Sequence, residues 1–269
     1  MCKVMRVSHS GYYAWRGRPT SLRDKENQAL VDEIKRIHKQ SRESYGSLKV
    51  WQALNQQGFP CGKHRVARLR SRYGIETKRR KRFKVTTHSK HQHWIAPNLL
   101  QRDFYAAKPN RVWVGDVTFI ATRSGWLYLA TMLDLHSRKV VGWSMSDKNN
   151  QALVLGALTM AITQRKPKAG LIHHTDRGQL YAAHQYRDML KRHQMTPSMS
   201  RKKDCWDNAV AESFFNNLKN EVIYHQRFQT KEEAKAAIFD YIEIFYNRQR
   251  LHQTLGYQSP HDFETMNVA

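Results

Sequence analysis

Apolar residues recur at helical spacing across residues 24–40, where Leu30, Ile34 and Ile37 share a face with Val31, and this pattern predicts a helix. A second helix is predicted over residues 47–54, capped by Ser47, with Leu48, Trp51 and Leu54 on its apolar side near Val50. Gly58-Phe59-Pro60-Cys61-Gly62 interrupts the pattern before a third helix, residues 63–73, which turns Val66 and Leu69 inward. Lys63, Arg65, Arg68, Arg70 and Arg72 are expected to project from its other sides. Two short helices joined by a glycine-containing turn, the second rich in Arg, form the pattern of a helix-turn-helix. Arg on such a helix forks onto guanine edges or phosphates. Residues 75–104 hold many charges, His88, His91, His93 and Pro97, and read as a linker. These histidines have no Cys or carboxylate set beside them and do not make a zinc site.

From residue 111 the pattern changes. Residues 111–120, 125–134 and 139–145 are rich in β-branched and aromatic residues, and their short connections predict an antiparallel meander. A helix over 150–165, a buried strand over 171–176, a helix over 183–192 and a strand near 195–200 follow. Helices are then predicted over 207–222 and 231–247, the last with Ala234, Ile238, Tyr241, Ile242 and Phe245 on one face. This order describes an α/β mixed sheet flanked by helices, behind an all-α front region. Trp126, Trp143, Phe214 and Phe215 are expected in its core.

Two carboxylates interrupt this apolar pattern. Asp116 lies inside the first strand and Asp176 ends the fourth. An acid in a strand core costs stability unless a cation accompanies it, so the pair points to a shared metal site. Helical geometry selects a third. With Glu212 at 0° and about 100° per residue, Asn208, Asn216 and Lys219 fall within about 40° of it. Ala211, Phe214, Phe215 and Leu218 fall between about 160° and 300°, and Glu221 lies near 180°, away from the polar stripe. Asp134 reads as a turn residue and His174 as the holder of a structural hydrogen bond.

Charge sharpens the division. The chain of 269 residues has a formal net charge of +24. Residues 1–105 hold 24 Lys/Arg against 7 Asp/Glu, and residues 106–269 hold 22 against 15. The excess is densest in Lys78-Arg79-Arg80-Lys81-Arg82-Phe83-Lys84. Such a balance implies a polyanionic partner. There is no apolar run of 18 residues, which excludes a membrane span, and the first residues lack the apolar core of a signal peptide. Three scattered cysteines exclude a disulfide framework and are expected in a reducing compartment. The expected domains are a basic DNA-binding region over 1–90, a linker over 91–106, a catalytic core over 107–228, and a C-terminal helix and tail over 229–269.

Asp116, Asp176 and Glu212, with 35 residues between the last two, resemble the DDE signature of insertion-sequence transposases related to retroviral integrases. The words around them are similar as well: Trp113-Val114-Gly115-Asp116-Val117-Thr118, His174-Thr175-Asp176-Arg177-Gly178 and Asp207-Asn208-Ala209-Val210-Ala211-Glu212-Ser213-Phe214-Phe215. So are Asp134-Leu135-His136-Ser137-Arg138 and the tail Tyr246-Asn247-Arg248-Gln249-Arg250-Leu251-His252. The resemblance implies a ribonuclease-H-like core in a bacterial, cytoplasmic, nucleoid-associated enzyme. Its partners would be double-stranded DNA, at element ends and target, and further copies of the chain. The opening Val7-Ser8-His9-Ser10-Gly11-Tyr12-Tyr13 resembles the downstream frame of two-frame elements, which implies an upstream-frame partner or fusion. The expected cofactor is Mg²⁺, two ions with Mn²⁺ as a substitute, clamping the attacking and leaving oxygens of a phosphodiester. Asp116 would bridge the ions, while Asp176 and Glu212 would hold one each. Lys219 would contact DNA near the reacting end, Asn208 would orient Glu212 or the DNA, and Lys202 would sit in a DNA-contacting loop. The competing class is a non-catalytic DNA-binding regulator, which has no use for three acids in a metal constellation. A ribonuclease acting on hybrids is disfavoured by the front region.

Overall fold

The computed structural model describes residues 2–78, 94–201 and 205–267. The chain forms two compact units, Met1–Thr77 and Lys78–Ala269.

The first unit is helical: α1 (His9–Arg16), α2 (Leu22–Gln40), α3 (Ser47–Gln56) and α4 (Lys63–Arg72). Ser21 caps α2 through the Asp24 N–H, and Leu30, Val31, Ile34 and Ile37 give it one buried face. That face meets Val50, Ala53 and Leu54 of α3 and Val66 and Leu69 of α4. Three expectations change here. Gly46, not Ser47, caps α3, and Leu48 is exposed because the buried face centres on Val50. Arg70 does not project: it lies next to Leu69 on the inward side of α4 and is 5 % exposed. Helix α1 has no buried residue, so no apolar stripe announced it.

The second unit is built on a five-stranded sheet of order β3-β2-β1-β4-β5. Strands β1 (Val112–Thr122), β2 (Gly125–Asp134) and β3 (Val140–Ser146) form the antiparallel meander, while β4 (Ile172–Thr175) and β5 (Thr196–Met199) add in parallel beside β1. This is the ribonuclease-H-like mixed sheet that the resemblance implied. Helix α5 (Gln151–Arg165) covers β2 and β3. Trp113, Ala130, Met132 and Val141 meet Leu153, Val154, Ala157 and Leu158 in that core. The short α6 (Gln179–Ala182) and α7 (His184–Arg192) pack beside it, whereas α8 (Ala209–Glu221) lies against β1. Helix α9 (Lys231–Phe239) packs on β1 and β2 and continues as a π-helical segment over Asp240–Tyr246. A last helix, α10 (Pro260–Asn267), was not foreseen. Its Glu264 holds it to the unit through Arg165, Lys139 and Ser137.

Part of the expected linker is packed onto this unit. Ala96, Leu100 and Ala106 are buried, the Leu99 N–H donates to Ser198 Oγ at 2.9 Å, and the Met199 N–H donates to the Pro97 carbonyl. Asp134 takes the turn role expected of it, accepting the N–H groups of His136 and Asn110. Trp126 is exposed at the β1–β2 hairpin rather than in the core, while Phe214 and Phe215 are buried as expected. His88, His91, His93 and most of the basic run at 78–84 lie outside the described residues.

Candidate active site

Alternation along β1 decides where Asp116 points. Trp113 and Val117 belong to the core under α5, so Asp116 faces the opposite side, where α8 crosses the strand. The β1–β4 register pairs Gly115 with Thr175, and one residue further along stand Asp116 on β1 and Asp176 immediately after the end of β4, one residue beyond the strand it was expected to end. Both are half-buried, as are Glu212 and Lys219 on α8.

Electrostatics brings the four side chains into one field. Burial pushes the Asp116 carboxyl well above the usual carboxylate range, Asp176 and Glu212 push it further, and Lys219 opposes them. Glu212 is raised by burial and by Asp176. The Lys219 ammonium is lowered by burial and supported by Asp116. Three acids facing one Lys leave an excess of negative charge that protons or a cation must balance. The donor set is oxygen-only, which suits a hard divalent cation. Among the described residues, no three His, Cys, Asp or Glu side chains converge tightly enough to form a finished metal cage.

Backbone donors orient the two aspartates. Asp116 Oδ1 accepts the Val117 N–H and Asp176 Oδ1 accepts the Gly178 N–H, each at 2.8 Å. Gly178 is required by that second contact, because a Cβ there would stand 2.8 Å from the same carboxylate oxygen. Behind them, His174 bonds to Ser198 and Ser200, the structural role expected of it. His173 bonds to Tyr186 Oη at 2.7 Å, and burial pulls its imidazole down to about 3, so it is neutral. As pH falls from about 6.5, the unfolded chain takes up this proton before the folded one, and stability is lost down to about pH 3. His173→Gln is expected to flatten the stability slope by up to about 1.4 kcal/mol per pH unit in denaturant titrations at pH 6 and 4. An unchanged slope would show that His173 is not carrying it.

Two site residues were hidden from the sequence reading. Asp207 is fully buried and accepts from Asn98, from Arg102 and from the backbone and guanidinium of Arg201. Arg201 and Arg102 hold its carboxyl far below the usual range. It thereby fixes the entry to α8, and its only sequence signal was an acid beside the helix start. Tyr181 is buried within the field of Asp116 and Asp176, with no hydrogen-bond partner for its hydroxyl.

The structure separates the expected DNA contacts. Lys63, Arg68 and Arg72 are exposed on α4, whereas Arg65 is partly buried and bonded to Asn27 and Glu26. Asn208 is 3 % exposed and directs Nδ2 to the Gly115 carbonyl, so it supports β1. Lys202 lies outside the described residues.

The sheet order and its flanking helices are those of an integrase-type core, with Asp116 on β1, Asp176 just past β4 and Glu212 on α8. Integrase core models match residues 106–205 and 212–268, and an HTH-like domain model matches residues 25–83. The chain is 44% identical over 98% of its length, and 97% of the relative's, to the insertion element IS600 uncharacterized 31 kDa protein of Shigella sonnei. It is 41% identical to transposase InsF for insertion sequence IS3A of Escherichia coli K12, covering 100% of this chain and 94% of that one. A chain of the simian T-cell lymphotropic virus intasome, solved with PP2A regulatory subunit B56 gamma, shares the fold at a TM-score of 0.50 and 13% identity. That match covers 86% of this chain and 74% of the viral one. The chain belongs to the insertion-sequence DDE transposases, a family whose chemistry is polynucleotidyl transfer. No helix among the described residues is long and apolar enough to cross a membrane.

Proposed function

We propose that this chain nicks the ends of an insertion element and joins the freed 3′-hydroxyl to another DNA strand, with Asp116, Asp176 and Glu212 as the metal-binding acids. The observation that carries this reading is the shared field of those carboxylates: Asp116 is raised by burial and then by Asp176 and Glu212, and Glu212 by burial and then by Asp176. Two Mg²⁺ ions, for which Mn²⁺ would substitute, supply charge neutralisation at the scissile phosphate and a more acidic attacking oxygen. Asp116, Asp176 and Glu212 would hold the ions. Lys219 would neutralise a phosphate oxygen beside Asp116. In the first reaction water adds to phosphorus and the strand's 3′-oxygen leaves as a hydroxyl. In the second, that hydroxyl attacks another phosphodiester in line and displaces its 3′-oxygen. No bond to the protein forms in either.

Duplex DNA would be held mainly by the first unit, through Lys63, Arg68 and Arg72, while further copies of the chain assemble on the DNA. The resemblance of residues 7–13 to a downstream frame supports an upstream-frame partner or fusion, and the charge balance supports residence with the nucleoid. The test is cleavage of an end-containing duplex by the chain, alone and fused to its upstream frame, with binding measured on the same samples. Cleavage in Mg²⁺ that stops in chelator is the expected result. Binding without cleavage in both forms would favour the non-catalytic regulator instead.

A further inference from the structure

Burial sets Arg70 apart from the other basic residues of α4. A cavity of about 410 Å³ opens between the start of α3 and the end of α4, lined by Gly46, Ser47, Arg70, Ser71 and Glu76 among others. Helix α3 has 10 residues, and no side chain caps its N-terminus. The first N–H that bonds back along the helix is that of Val50, to the Gly46 carbonyl, so those of Ser47 and Leu48 have no acceptor within the helix. The Arg70 guanidinium stands at the same end. It is 5 % exposed, its NH1 reaches only Ser47 Oγ at 3.4 Å, and its Nε has no hydrogen-bond partner. A buried guanidinium ordinarily requires an anion, and Arg70 forms no ion pair among the described residues.

We infer that this cavity receives one phosphate group, a backbone phosphodiester of duplex DNA. The Arg70 Nε and NH1, the Ser47 hydroxyl and the N–H groups of Ser47 and Leu48 form a donor set for a tetrahedral oxyanion, and the helix dipole adds to it. The single acid on the lining, Glu76, does not pair with Arg70 and disfavours more highly charged anions. DNA is the favoured source because the unit holds 16 Lys/Arg against 6 Asp/Glu, with Arg68 and Arg72 exposed on the same α4. This inference rests on the reading that the first unit binds duplex DNA.

The experiment uses the full chain with Arg70→Met, which keeps the side-chain length without the charge, and Arg70→Lys, which keeps the charge without the fork. Thermal melting of each variant establishes that it is folded. Binding of an end-containing duplex is then measured by anisotropy at several salt concentrations. Arg70→Met is expected to weaken binding about tenfold and to lower the slope of log K against log salt by about 0.9, the signature of one lost phosphate. Arg70→Lys should retain most of the slope. A second arm follows the melting of the unsubstituted chain and Arg70→Met in inorganic phosphate. A phosphate-dependent shift that Arg70→Met abolishes, with the DNA slope unchanged, would reassign the cavity to free phosphate and overturn the DNA source. No effect in either arm would overturn the site. Failure of the unsubstituted chain to bind duplex would instead overturn the reading beneath it, while the phosphate arm still reports on the cavity.

Discussion

Asp116→Asn, Asp176→Asn and Glu212→Gln are each expected to abolish nicking and joining, by at least about 10³-fold, while duplex binding survives. Each change keeps the side-chain shape and removes one charge from a site that works by concentrating negative charge. The losses should not add, because a site that acts as a unit fails once any ligand fails. Stability should move the other way. The Asp116 carboxyl is raised by burial and by its two acidic neighbours, so its charged form destabilises the fold once pH exceeds the carboxylate range. Asn at 116 preserves the contact with the Val117 N–H and removes that repulsion. Asp116→Asn should therefore melt higher than the unsubstituted chain at pH 7 in chelator, and this advantage should vanish at pH 3, where the acids are protonated. The measurements are gel-based cleavage in Mg²⁺ and thermal melting with and without chelator. Substantial cleavage by any one variant removes that residue from the site. Lower melting of Asp116→Asn would overturn the electrostatic account.

The sheet was legible because its strands alternate or run apolar over lengths that no helix needs, and an acid inside such a strand stands out. Glu212 was legible because its helix is clean: one polar stripe opposite Phe214, Phe215 and Leu218. The juxtaposition of Asp116 with Asp176 was not legible, since it depends on the parallel β1–β4 register across a long connection. The packed segment 94–106 was missed because an irregular chain buries Ala96 and Leu100 without any period. The π-helical turn was missed because a period of 3.6 carried through Tyr241 and Phe245 looks the same at this length. Buried charges are the largest blind spot. Basic residues of α4 were expected to project, a rule that Arg70 violates, and the burial of Asp207, Glu221 and Arg250 left no mark in the local pattern. Each case depends on a cavity or a distant partner that a pattern along one element does not contain.

Glu221 shows what such a pattern conceals. Its position opposite Glu212 on the helical wheel set it apart from the polar stripe, and its loss is expected to do little to catalysis directly. The structure buries it at the end of α8, where it takes Arg250 Nε and NH2 and the Tyr241 hydroxyl, with Arg250 NH2 at 2.7 Å from Oε1. Removing one partner of such a pair strands the other in a low-dielectric interior, at a cost of about 3–5 kcal/mol. Glu221→Ala and Arg250→Met should each lose stability on that scale in urea titrations. The double change Glu221→Leu with Arg250→Met should recover most of it, because neither charge remains to be solvated. Lys219→Ala, two residues earlier on the same helix, should behave differently. Lys219 faces Asp116 rather than a buried clamp, so its loss should shift stability by less than about 1 kcal/mol. Strand joining should nevertheless fall at least about tenfold, with DNA affinity nearly intact. The two residues thus separate a helix held in place from the chemistry that it holds. If Lys219→Ala and Glu221→Ala lost stability and joining in the same proportion, the division of α8 into a clamped end and a reactive face would have to be abandoned.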